Sequence, residues 1–224
     1  MTQSSRRPGP RTWWAALAVA LAVVAVVAVV VGVNGQQEAP APAASTERSQ
    51  PAVPAPTGQP GTPADAPPAQ VADPVSVGIP SIDVTSDLLR LDLNDDGTVE
   101  VPPLAPDDQA GWYQRGPAPG EVGPAVILGH VDSAEHGPGV FFDLGALEPG
   151  SEVTVTRADG TVAVFAVDRV EVHPKDDFPT LEVYGNTDDS QLRLITCGGD
   201  FDSGARSYED NVIAFATLTG TRPA

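Results

Sequence analysis

Leu192-Arg193-Leu194-Ile195-Thr196-Cys197-Gly198-Gly199 reads as an apolar strand that stops at a thiol and two glycines. Cys197 is the only cysteine in 224 residues, so it forms no internal disulfide. Its uses reduce to burial, intermolecular pairing or chemistry. A lone cysteine is by default a small buried hydrophobe. Here the strand gives way to two glycines, which puts the thiol at a sheet rim where the backbone leaves room for a substrate. That position suits a nucleophile better than a core filler.

Outward from this strand, the chain reads as all-β. Short runs rich in Val, Ile and Leu recur between Gly, Pro and Asp punctuation: 88–93, 98–101, 125–128, 152–156, 161–167, 192–196 and 212–218. Asp159-Gly160 and Asp96-Gly97 each carry a hairpin signal. Short helical turns are expected at 107–113 and 141–147, and no long amphipathic helix is visible. A closed or nearly closed barrel is the natural way to remove so many strand edges. Asp92-Leu-Asn94-Asp-Asp96-Gly97 imitates the first half of a calcium-binding loop. Its twelfth position is Pro103 in place of the bidentate glutamate, so the segment reads as a hairpin and no metal is expected.

The N-terminus sets the compartment. Residues 1–12 form a basic tail with Arg6, Arg7 and Arg11, and 13–33 are 21 uncharged residues, mostly Ala, Val and Leu. At about 1.5 Å per residue that run spans roughly 30 Å of hydrocarbon, the length of a transmembrane helix. No basic residue follows before Arg48, so the expected orientation is cytoplasmic N-terminus and extracellular remainder, in a single-pass protein of the cell membrane. A cleaved signal peptide would have a shorter apolar region and a small-residue cleavage site; Asn34-Gly-Gln-Gln follows here. Residues 34–73 hold nine prolines and no aromatic residue, too little apolar surface to offset the entropy of folding. They read as a disordered tether, extended at about 3.1 Å per residue.

One globular domain is expected at 74–219, with 220–224 as a C-terminal tail. Residues 74–224 carry one Lys and seven Arg against 26 Asp and Glu, which accounts for the whole net charge of −18. So acidic a domain excludes nucleic acid or an anionic membrane surface as partner.

The histidines are His130, His136 and His173. Most histidines are packed or solvated, and His136 and His173 read as dispensable. His130 stands apart because it follows the apolar strand Ala125-Val-Ile-Leu-Gly129 and so ends a second strand, with Asp132 and Ser133 just behind. Cysteine chemistry needs a thiolate, which a neighbouring imidazole stabilises before it protonates a leaving amine. A third group must then meet the oxyanion, commonly fixed N–H donors or an arginine.

Taken together, Gly129-His130-Val-Asp132-Ser133, Leu194-Ile-Thr196-Cys197-Gly-Gly199-Asp-Phe-Asp202 and Tyr208-Glu-Asp-Asn211-Val-Ile resemble a sortase, and within that superfamily the class F sortases of high-GC Gram-positive bacteria. Supporting segments are Gly111-Trp-Tyr113, Gly116-Pro-Ala-Pro-Gly-Glu121 and Gly137-Pro-Gly-Val-Phe141. The resemblance implies a closed eight-stranded β-barrel and a cysteine transpeptidase that needs no cofactor. It implies that Cys197 attacks the Thr–Gly bond of a signal similar to Leu-Pro-X-Thr-Gly, carried by a secreted protein. His130 would protonate the departing glycine amine. A cell-wall precursor, a pilin lysine or water would resolve the thioester. Thr196, Asp132 and Ser133 are the expected substrate-binding residues.

Two arginines compete for the oxyanion. Arg206, in the loop after the cysteine strand, leads over Arg193 within it, which starts roughly 13 Å from Cys197 along the strand. In better-known sortases the arginine opens the following strand, where this chain has Asn211. An L,D-transpeptidase acting on peptidoglycan also uses exported Cys and His, but places them in one segment. A non-catalytic anchored surface-binding module with a buried Cys is the third reading.

Overall fold

The computed structural model describes residues 39–42, 71–105 and 108–224. The basic tail, the expected transmembrane run 13–33 and most of the linker lie outside these residues. Among the described residues no helix is long and apolar enough to cross a membrane.

The strands in chain order are β1 (Pro74–Ile79), β2 (Val84–Leu91), β3 (Ala110–Tyr113), β4 (Gly123–Leu128), β5 (Asp132–Ser133), β6 (Gly137–Pro138), β7 (Glu152–Arg157), β8 (Thr161–Pro174), β9 (Ser190–Asp202) and β10 (Ser207–Pro223). Helix α1 (Thr180–Tyr184) lies between β8 and β9. Eight strands close a barrel in the order β1-β2-β3-β4-β9-β10-β8-β7, and β7 pairs back onto β1. The pairs β2–β3 and β4–β9 are parallel and the other barrel pairs antiparallel. Strands β5 and β6 form a separate two-stranded ladder.

Period-2 alternation sorts these strands into two faces. Along β9, Leu192 and Leu194 enter the barrel core with Ala125 and Ile127 of β4 and Val212, Ala214 and Ala216 of β10. The intervening residues Ile195, Val126, Ile213 and Phe215 form a second cluster outside the barrel, capped by Val183 of α1. Phe141, Phe165 and Phe215 are fully buried, worth about 1.5–3 kcal/mol each for the apolar surface removed from water. Trp112 is also buried, and its indole N–H donates to the Pro117 carbonyl at 3.2 Å, satisfying the one polar atom of that ring.

Both Asp-Gly hairpins form. Gly160 takes a left-handed φ of 78° between β7 and β8, while Asp159 Oδ1 accepts the Thr161 N–H at 2.9 Å. In the Asp96-Gly97 turn, Leu93 bridges Val99 and the Asn94 N–H donates to the Thr98 carbonyl at 2.8 Å. The carboxylates that imitated a calcium loop are consumed locally: Asp96 accepts from Thr98, and Asp92 pairs with Arg115 and Gln114.

Three expectations need correction. Residues 107–113 were expected as a helical turn, but Ala110–Tyr113 is strand β3, parallel to β2 and antiparallel to β4. Its aromatic residues suit a pleated surface, and Gly111 lets the Leu91 side chain lie where a Cβ would stand. The run 98–101 supplies one bridge rather than a strand. The segment 220–224, expected as a tail, continues β10, with Gly220 paired to Val164 and Pro223 to Thr161. The turn expected at 141–147 appears as a 3-10 helix at Leu144–Ala146.

Candidate active site

Strand register sets side chains of the outer face in rows. Val126, Arg193, Phe215 and Arg169 are successive partners across β4, β9, β10 and β8. Two residues further along, Leu128, Ile195, Ile213 and Glu171 make the next row. Two residues further again come Cys197, Asn211 and His173. The parallel β4–β9 register ends at Leu128 and Ile195, and continued two residues it would set His130 level with Cys197. Strand β9 itself does not stop at Cys197, as its sequence suggested, but runs on to Asp202. The Gly129 N–H bonds the Ile195 carbonyl at 3.1 Å, the last ladder bond between these strands, and the His130 carbonyl accepts instead from the Phe141 N–H at 3.0 Å. Cys197 and His130 are both partly exposed.

The His130 ring is oriented by the loop between β2 and β3. Its Nε2 lies 2.7 Å from the Pro102 carbonyl oxygen, which only accepts, so Nε2 carries the proton. In the neutral ring, Nδ1 is then the free base. Among the described residues a backbone carbonyl, and no carboxylate, holds this imidazole.

Asp132 and Ser133, expected to bind substrate, lie on β5 beside a depression shared with Leu104, Asp108, His130 and His136. Both already have partners. Ser133 Oγ accepts the His136 N–H at 2.9 Å, and Asp132 Oδ2 accepts the Tyr208 hydroxyl at 2.7 Å. Thr196 shares the inward parity of Leu194 and is buried, with its hydroxyl unpaired among the described residues.

The two arginines occupy unlike settings. Arg193 is only 4% exposed; its Nε donates to the Glu182 carbonyl of α1 at 3.1 Å, Nη1 to Leu192 O at 3.2 Å and Nη2 to Gln191 Oε1 at 2.5 Å. The guanidinium lies 4.6 Å from the Phe215 ring centre, and burial, then the neighbouring Arg169 charge, lowers its pKa to about 10. Its donors point away from the thiol and tie down α1. Arg206 is exposed in the turn between β9 and β10, at a left-handed φ of 54°. From Asn211, the residue level with Cys197, Arg206 is five residues back along β10, roughly 16 Å of extended chain at about 3.3 Å per residue. Asn211 itself shares the face of Cys197 directly opposite it.

Tyr208 was not singled out as a site residue, although the Tyr208 to Ile213 segment carried part of the resemblance. Its ring meets Phe201 edge-on at 5.2 Å, and burial, the Asp132 hydrogen bond and charge, and the Cys197 charge push its phenol up to about 12. The Pro102 contact, spanning 28 residues, was also invisible.

Over residues 77–219 the sequence matches the family described as Sortase domain. The chain belongs to the sortase family. That fixes the activity class, a cysteine transpeptidase, and sets aside the L,D-transpeptidase reading, which concerns another family. Solved sortases share the fold: Listeria monocytogenes sortase A at 18% identity and TM-score 0.50, covering 69% of this chain and 91% of that one. Sortase A from Corynebacterium diphtheriae follows at 20% and 0.51, covering 68% and 63%. Streptococcus pneumoniae sortase C matches at 18% and 0.51, covering 68% and 70%. Among curated proteins, none matches the chain in sequence.

Proposed function

We propose that this sortase is a membrane-anchored extracellular enzyme of the class F type that cleaves a Leu-Pro-X-Thr-Gly-like sorting signal and transfers the released acyl group to an amine. The observation that supports the reading is the parallel β4–β9 register, whose last pair is Leu128 with Ile195; two residues further along each chain come His130 and Cys197, both partly exposed. The Cys197 thiol gives its proton to His130, and the thiolate adds to the Thr carbonyl carbon. The tetrahedral intermediate collapses as the C–N bond breaks and imidazolium returns the proton to the glycine amine. An acyl–sulfur bond remains on Cys197. A second amine then adds to the thioester carbon, gives up its proton, and expels the thiol.

The oxyanion needs donors at the rim. Arg206 has that role in this reading, reaching back as the β9–β10 turn folds over substrate. A second reading is favoured by register: the Asn211 carboxamide already stands opposite Cys197 on the same face. Thr196 and Ser133 are assigned to substrate binding in this reading. The run 13–33 holds the enzyme in the membrane with the catalytic domain outside, and partners are sorting-signal-bearing secreted proteins and either a cell-wall precursor amine or a pilin lysine.

Incubating the full chain with a peptide library and amine acceptors, with products read by mass spectrometry, tests this. The expected result is cleavage at Thr–Gly with an acyl mass trapped on Cys197; cleavage without any such adduct, or persisting in Cys197→Ala, overturns it.

A further inference from the structure

One hydrogen bond joins the segment just after His130 to β10, the strand paired with the Cys197 strand β9. The Tyr208 hydroxyl of β10 donates to Asp132 Oδ2 at 2.7 Å across 76 residues of sequence. Asp132 lies two residues beyond His130, β10 lies on the far side of β9 from β4, and Tyr208 is level with Phe201 of β9, so the bond bridges across β9 beyond Cys197. Both partners are held. Asp132 pairs with Pro138 in the β5–β6 ladder, and the Tyr208 ring rests edge-on against Phe201 at 5.2 Å. Beneath the bond, Gly199 takes a left-handed φ of 73° where a Cβ would strike the Asp210 carboxylate, so the backbone there is shaped to let β10 cross closely.

The environment keeps this bond in one state. The phenol's acidity is displaced to about 12, so Tyr208 remains a donor throughout the working range, and a phenol donating to a carboxylate makes a charge-assisted bond. His130 is tied on its other side by the Pro102 carbonyl at 2.7 Å. Proton transfer between imidazole and thiol tolerates little misplacement, since an error near 1 Å costs about 10²-fold.

We propose that Tyr208 and Asp132 form a positioning latch that fixes the His130-bearing segment against β9 and thereby sets the imidazole–thiol separation. This rests on the reading of Cys197 and His130 as the reacting pair. It assigns Asp132 to alignment in place of substrate contact, and neither residue touches the reacting atoms.

Because Cys197 is the only thiol, its carbamidomethylation by iodoacetamide reads thiolate availability without any substrate. In the full chain at pH 7, Tyr208→Phe and Asp132→Ala should each slow alkylation about tenfold with melting temperature nearly unchanged. The double variant should be no slower than either single, because the pair acts as a unit. Asp132→Asn, which keeps an oxygen for the Tyr208 hydroxyl, should recover most of the loss. Additive losses, or a wild-type rate in Tyr208→Phe while His130→Ala is slowed, overturn the latch alone. An unchanged rate in His130→Ala overturns the Cys–His pair and the latch with it.

Discussion

The row Val126–Arg193–Phe215 and the pair Cys197–Asn211, with His130 just past β4, sit four residues apart along the same run of chain, yet among the described residues the first is buried and the second partly exposed. Helix α1 closes the lower row with Val183 and the Glu182 carbonyl, and a charged residue there becomes part of the packing. The upper positions lie past the helix, where β4 has ended at Leu128 while β9 runs on to Asp202, and His130, Cys197 and Asn211 stay partly exposed. Chemistry in this fold is therefore a matter of position along the strand. Four places earlier, Val126, Arg193 and Phe215 serve structure.

The sharpest break of that comparison is at Cys197. Cys197→Ala should abolish cleavage and thioester formation while leaving thermal stability nearly unchanged, because a rim thiol contributes little packing. His130→Ala should lower turnover by about 10²- to 10⁴-fold, the usual worth of a positioned acid–base group. Turnover near normal in Cys197→Ala, measured by product mass, breaks the contrast altogether.

The oxyanion donor sharpens the upper row. Removing one such donor costs about 10²- to 10³-fold in acylation, because it meets charge that develops only in the transition state. If Arg206 supplies it, Arg206→Ala shows that loss and Arg206→Lys recovers only part, since the planar fork is gone. If Asn211 supplies it, Asn211→Ala shows the loss and Arg206→Ala is near normal. Near-normal acylation in both would leave the role to backbone N–H groups near Gly198 and Gly199.

The lower row should respond in the opposite sense. Arg193→Ala leaves the Glu182 carbonyl without its donor and strips the cover from Phe215, costing about 2–3 kcal/mol and roughly 5–10 °C in melting temperature. Acylation measured well below that temperature should stay within about threefold of normal. A large kinetic loss with unchanged melting would make Arg193 a site residue and dissolve the distinction between rows.

Much of this was legible because it is local. The strand end before His130, the two Asp-Gly hairpins and the long apolar runs each announce themselves within ten residues, whereas β9 runs past Cys197 to Asp202 by pairing with β10. What failed was nonlocal. Ala110–Tyr113 became a strand by pairing with β2 and β4, which a helical reading of 107–113 does not contain. Helix α1 is five residues long, and the burial of Arg193 depends on it. The Tyr208–Asp132 bond joins residues 76 apart, so neither residue alone carries a signal for it.

The smallest effect is expected at His173, and it tests how far the upper row extends. His173 is level with Asn211 and on the same face, so register alone would admit it to the site. Two strand spacings, about 10 Å, separate it from Cys197, well beyond hydrogen-bond reach. Its Nε2 is also occupied, lying 3.0 Å from Glu171 Oε2, and Glu171 in turn accepts from Arg169 Nε at 2.8 Å. Burial opposes the charge on Glu171, but the hydrogen bonds from His173 and Arg169 outweigh it and leave the carboxyl below its ordinary value. This pairing therefore adds stability above the carboxylate's unfolded pKa and loses it as pH falls through the lowered one. His173→Gln should then change alkylation of Cys197 and peptide turnover by less than twofold, with a small stability loss confined to pH above about 4. A tenfold kinetic loss at unchanged stability would extend the active row across β10 to β8 and make the sheet face, rather than the strand end, the unit of function.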